Sequence, residues 1–170
     1  MIQLPQDLPD DQIEVWQQAV EAFYQANRLQ RQGDWAGAIR AFRQSIHLYP
    51  TPEAYTHLGW VYSLLHLYDD AMTACRHALE LDPSFGNPAN DIGAYLIELN
   101  RHREALPWLE QALAAPRFEG RAQAYVNRGR VYEALGDWLT AAENYQAALD
   151  LAADNQPARK ALHNIRSRLN

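Results

Sequence analysis

Residues 55–83 read YTHLGWVYSLLHLYDDAMTACRHALELDP. Small residues stand at Gly59, Ala71 and Ala78, large apolar or aromatic ones at Tyr55, Leu58 and Tyr62, and Pro83 closes the stretch. The same frame occurs three more times. Ala26, Gly59, Gly93 and Gly129 are spaced 33, 34 and 36 residues apart. Ala38, Ala71, Ala105 and Ala141 follow each of them by 12, and Ser45, Ala78, Ala112 and Ala148 follow those by another 7. Phe42, Cys75, Leu109 and Tyr145 keep step four residues after the second set, and Pro50, Pro83 and Pro116 end the first three units. Self-similarity at a period of about 20–50 residues marks a stack of identical supersecondary units.

Each position has a physical role in a pair of antiparallel helices. The small residues sit where the first helix of a unit, helix A, meets the second, helix B, and a large side chain there would force the axes apart. Aromatic and aliphatic residues fill the holes between. The turn between the two helices falls at Gly33, His66, Asn100 and Gly136. A residue closing a helix there takes positive φ, which glycine adopts freely and asparagine tolerates; His66 is the weakest fit. One pair cannot bury its own apolar face, so about three or more must stack.

The pattern resembles the tetratricopeptide repeat, with its W-x2-L-G-x2-Y opening followed by spaced A, F, A and P. Tyr55, Leu58, Gly59, Tyr62, Ala71, Ala78 and Pro83 carry the closest match, and Tyr125, Gly129, Tyr132, Ala141, Tyr145 and Ala148 carry another. The resemblance implies an all-α fold, a right-handed α-solenoid of antiparallel helix pairs. We expect residues 1–10 to form an extended N-terminal segment and residues 11–170 a single repeat domain. Its repeats cover about 19–51, 52–85, 86–121 and 122–155, with a capping helix over about 157–169.

The ends and two irregularities lead to further expectations. Asp10 or Asp11 should cap a long first helix running to about Gln32. A last helix from Pro157 carries Ala161, Leu162, Ile165 and Leu169 on one side and basic residues on the other, as a solubilising cap. Pro107 falls early in the third helix B and should bend it without breaking it. The linker LAAPRFEGRAQ is about two residues longer than its counterparts, and its Phe118 and Gly120 are expected to let the fourth repeat shift as a unit.

Composition narrows the function. The formal net charge is −6, the opposite of the balance that phosphate contacts demand, so no nucleic-acid partner is expected. Cys75 is the single cysteine, so no internal disulfide is needed. The start of the chain lacks a basic and apolar leader pattern, and no apolar run approaches the roughly 20 residues that span a bilayer. A cytoplasmic protein without membrane insertion is therefore expected. No catalytic, metal-binding or phosphate-loop motif appears. His47 and His77 recur in successive B helices as polar decoration, Cys75 occupies a core position, and no enzyme activity, cofactor or metal is expected.

The resemblance further implies that the A helices line a concave groove. On that reading the partner-binding residues are Phe23, Tyr24, Asn27, Arg31, His57, Trp60, Asn90, Asp91, Asn127 and Arg130. The asparagines suit the backbone of an extended peptide, because an amide donates and accepts at once. The aromatic residues suit an anchor side chain, and the arginines a carboxylate. The expected function is a scaffold or adaptor that binds a protein or peptide, with affinity on the order of micromolar, in the assembly of a larger complex. Chaperone-adaptor relatives hold a C-terminal carboxylate with Lys, Asn, Asn, Lys and Arg; the positions here are Phe23, Asn27, His57, Asn87 and Asp91, and only Asn27 agrees. The chain is expected to be a monomer or weak homo-oligomer; the alternative function is a self-associating structural module joined through its acidic start and a basic end carrying Arg159, Lys160, Arg166 and Arg168.

Overall fold

The computed structural model describes residues 8–169, with side chains up to residue 168. A short 3-10 turn, Asp10–Gln12, leads into α1 (Ile13–Arg31). There follow α2 (Trp35–Leu48), α3 (Pro52–Leu64), α4 (Tyr68–Leu81), α5 (Gly86–Glu98), α6 (His102–Ala114), α7 (Arg121–Ala134), α8 (Trp138–Leu151) and α9 (Gln156–Leu169). The helices form two compact units, one ending at Asp82 and the other beginning at Pro83. In the first, α1 packs on α2 and α3 on α4; in the second, α5 packs on α6, α7 on α8, and α9 on α8. The fold is all-α, as expected.

The turns obey the sequence frame at every unit. Gly33 and Gly136 take φ of 78° and 81°, and His66 and Asn100 both take 58°. Even the histidine therefore accepts the left-handed conformation that closes the A helix, and its Nδ1 lies 3.1 Å from the Tyr68 hydroxyl. The B helices then start on side-chain caps where the residue allows. Asp34 accepts from the Gly37 N–H at 2.8 Å and Asp137 from the Thr140 N–H at 3.1 Å. Thr51 caps α3 by accepting from the Ala54 N–H at 3.2 Å, with Pro52 in the first turn where a missing N–H costs nothing.

The small-residue positions are steric necessities. A β-carbon on Gly59 would lie 2.9 Å from the Ala71 carbonyl oxygen and 3.0 Å from the Cys75 sulfur. On Gly93 it would meet the Leu109 side chain at 2.6 Å, and on Gly129 the Tyr145 ring at 2.7 Å. The glycine of helix A and the facing residue of helix B thus form one lock in each of the last three repeats. Cys75 fills that place as a small hydrophobe, fully buried.

Three expectations are corrected or qualified. Neither Asp10 nor Asp11 caps α1: Pro9 precedes the 3-10 turn and Gln12 precedes the helix, neither with a side-chain cap bond, and the two acids occupy the opening turn itself. Most of the extended segment expected over residues 1–10 lies outside the described residues. The linker between α6 and α7 is pinned, not loose. Phe118 is buried. Arg117 N–H donates to the Ser84 carbonyl and Gly86 N–H to the Arg117 carbonyl, both at 3.0 Å, forming a short parallel bridge. The Arg117 guanidinium lies over the Phe85 ring at 4.1 Å, and Arg121 donates to the Leu113 and Ala115 carbonyls. Pro107 lies inside α6, which runs unbroken past it.

Gly86 makes that pin possible. A β-carbon there would come within 2.5 Å of Phe118 Cβ and 2.9 Å of the Ala112 carbonyl oxygen. Gly86→Ala is therefore expected to lower stability by about 1–3 kcal/mol through overpacking, read as a shifted urea midpoint with unchanged slope. The cap helix closes the second unit, with Ala158, Leu162 and Ile165 buried against Val126, Ala141, Tyr145 and Ala148.

Candidate partner-binding faces

In the first unit, α1 and α3 meet through aromatic side chains. Phe23 is buried, and its ring centroid lies 5.1 Å from His57 and 5.7 Å from Phe42 in edge-on contacts. His57 lies 5.7 Å from Phe42, and burial holds its pKa below the usual 6.5, so the ring sits neutral in the cluster. Phe23 and His57 therefore serve as packing between two A helices. What remains open flanks them. Tyr24, whose ring touches Phe23 edge-on at 5.6 Å, is 49% exposed. Trp60, one helical turn beyond His57, is 41% exposed, and Leu64, a further turn on, is 40% exposed. Asn27 donates its amide to the Phe23 carbonyl at 2.9 Å, one turn back on its own helix, and Arg31 is exposed at the helix end.

In the second unit, α5 and α7 meet through a polar ladder. Gln123 donates to Asn127 Oδ1 at 3.2 Å, Asn127 donates to Asn90 Oδ1 at 3.0 Å, and Asn90 donates to Asp91 Oδ1 at 3.3 Å. Asn127 is only 2% exposed, so its amide is committed to the protein. The ladder ends on a partly buried carboxylate. Burial pushes the Asp91 pKa up to about 7, against the smaller lowering effect of the Asn90 hydrogen bond. Beyond it, Arg130 pairs with Glu98 at 2.8 Å; both side chains are well exposed, so the pair contributes little to stability. Glu133 accepts from the Tyr145 hydroxyl at 2.8 Å, and that phenol is pushed well above its ordinary pKa by burial, then by the carboxylate.

Three family models, all described as tetratricopeptide repeat, match residues 21–52, 52–85 and 90–156. The chain belongs to the tetratricopeptide repeat family. Among curated protein sequences none matches it. Solved structures of similar fold include pilF of Pseudomonas aeruginosa, 19% identical with TM-score 0.84 over 94% of this chain and 71% of that one. MamA from Desulfovibrio magneticus RS-1 is 25% identical with TM-score 0.74, over 89% and 85%. The first TPR of Spaghetti (RPAP3), bound to an HSP90 peptide, is 23% identical with TM-score 0.64, over 69% and 92%.

Against this TPR frame the ten candidate residues fall into three groups. Phe23 and His57 pack the first unit, while Asn90 and Asn127 bond each other in the second. Tyr24, Arg31 and Trp60 stand open. Asn27 donates one bond within its helix, Arg130 is engaged by Glu98, and Asp91 closes the ladder. Gln123 and Glu98 also belong to these faces, and their signal was their place in the A-helix register. Among the described residues no group of three or more His, Cys, Asp or Glu is placed to hold a metal ion, and no helix is long and apolar enough to cross a membrane. Asn127→Ala would strand the buried Asn90 amide oxygen, while the exposed Gln123 amide would turn to solvent. We expect a loss of about 1–3 kcal/mol, read by thermal melting, with the α5 and α7 amides losing hydrogen-exchange protection first.

Proposed function

We propose that this TPR protein is a non-enzymatic scaffold that binds a partner protein through an extended segment laid along its A-helix faces, within a larger assembly. The observation that carries the reading is the pair of partly exposed aromatic residues, Tyr24 and Trp60, next in chain or one helical turn away from the packed Phe23–His57 contact. Large aromatic side chains left open beside a packed cluster are the usual anchors of protein interfaces, because they bring contact area with few rotatable bonds. The equivalents of Trp60 in the other repeats are Asn27, Ala94 and Arg130, so the indole is specific to this repeat and is not required by the fold. A domain of the same fold, the first TPR of Spaghetti, is bound to a peptide, which supports the mode of binding without naming this chain's partner.

Self-association through the chain ends is the weaker reading. Arg159 donates to the Ala153 carbonyl, Arg166 to Gln146, and Arg168 lies over the Trp138 ring at 5.2 Å, so three of the four basic residues already have partners in their own unit.

Trp60→Ala should leave the helical signal intact but lower the melting temperature, since the indole is 41% exposed and the rest of it is covered by the protein, so capture is compared well below both melting points. It should weaken capture of a partner from a lysate of the source organism at least about tenfold, as expected for an interface anchor worth about 2 kcal/mol. Equal capture by the native chain and the variant would remove the first-unit face from consideration.

A further inference from the structure

Among the described residues of its own unit, no cationic side chain pairs with the Asp91 carboxylate. Its neighbours on the face are amides: Asn90 donates to it, Asn127 holds Asn90, and Gln123 holds Asn127. The one guanidinium among the candidate residues of this face, Arg130, is bonded to Glu98 at 2.8 Å. Glu133 adds another acid and is bonded to Tyr145. The face thus carries Asp91, Glu98 and Glu133 against Arg130.

We propose that Asp91 is the recognition site for a cationic side chain, arginine or lysine, of the segment that this protein binds. A partly buried carboxylate with an amide on one oxygen keeps the other oxygen's lone pairs for a donor from outside. A guanidinium or ammonium supplies both the missing hydrogen bonds and the missing charge, and such charge-assisted bonds are the strong ones. The ladder gives the site its order. Each amide is oriented by the next, so Asn90 presents N–H to Asp91 and fixes the carboxylate plane before a ligand arrives. The raised pKa is the mark of that unmet charge: the fold would be better served by asparagine, which accepts the same hydrogen bond without ionising. Residues that cost stability in this way tend to sit at functional sites. The assignment rests on the scaffold reading above and adds the chemistry of the partner.

The test uses the full-length chain at pH 8 and low salt, with a probe pair: an acetylated, amidated Gly-Ser-Arg-Ser-Gly peptide and its citrulline counterpart, which is isosteric and uncharged. The side-chain amide signals of Asn90, Asn127 and Gln123 are followed by NMR. The arginine peptide should shift them saturably, the citrulline peptide should bind at least about tenfold more weakly, and Asp91→Asn should abolish the difference. Glu110→Gln, which removes an exposed acid on α6, should change nothing. The assignment is overturned if neither peptide shifts these signals, if both bind equally, or if Asp91→Asn and Glu110→Gln act alike. Trp60-dependent capture that survives any of those results would leave the scaffold reading standing and remove only the cation site.

Discussion

Phe42→Ala is expected to destabilise the first unit by about 3–5 kcal/mol. The ring is fully buried, and it touches Phe23 and His57, so its removal opens a hole at the point where α1, α2 and α3 converge. Phe23 and His57, the rings that touch Phe42, also hold each other at 5.1 Å, and such a site relaxes only in part after a large side chain is removed. Repeat proteins gain stability roughly as a sum of units and their interfaces. Loss should therefore appear first as increased hydrogen exchange in α1–α4, before α7–α9 respond. A loss under about 1 kcal/mol would mean that the aromatic cluster does not anchor the unit.

The second large effect is a gain. Asp91→Asn should stabilise the protein at pH 8 by up to about 4 kcal/mol, since the carboxyl is displaced from 3.8 to about 7. The sign follows from proton linkage. Between those two values the folded chain holds a proton on Asp91 that the unfolded chain has released, so stability falls as pH rises through that window and stays lowered above it. The variant removes this slope and should match the native chain near pH 4. His57 acts in the opposite direction: the folded chain keeps it neutral while the unfolded chain takes up a proton below 6.5, so stability falls as pH drops. Taking the difference between variant and native chain at each pH cancels the histidine and isolates Asp91. A difference that does not change with pH would show that Asp91 is well solvated.

The fold was legible because its rules are local and repeated. Gly59, Gly93 and Gly129 each mark a close approach within one helix pair, and the turn residues each close one helix, so a fixed spacing exposes them. The His66 turn shows the frame overriding residue preference: the position takes positive φ whatever occupies it. The linker was not legible. Phe118 is buried because Gly86, in an earlier helix, leaves room for it, and no periodicity relates the two. The candidate site was legible only as a face. Register places Asn90 and Asn127 on the A helices correctly, but whether an amide points at a ligand or at another amide depends on a contact between residues 37 apart. Exposure separates Trp60 and Tyr24 from Phe23 and His57 for the same reason: all are aromatic, all stand where the family resemblance led us to expect a groove, and only packing decides which of them are covered.

The most direct test of the scaffold reading follows the tryptophan indole N–H signals during titration with the captured partner segment. The chain has five tryptophans, each with its own signal, and Trp60→Phe assigns the one that matters. The account predicts that the Trp60 signal shifts and saturates with the segment, together with the Tyr24 ring, while Trp16, Trp35, Trp108 and Trp138 stay in place. A Trp60 signal that stands still while Trp138, beneath the basic α9 helix, moves would place binding at the end of the chain and contradict the account.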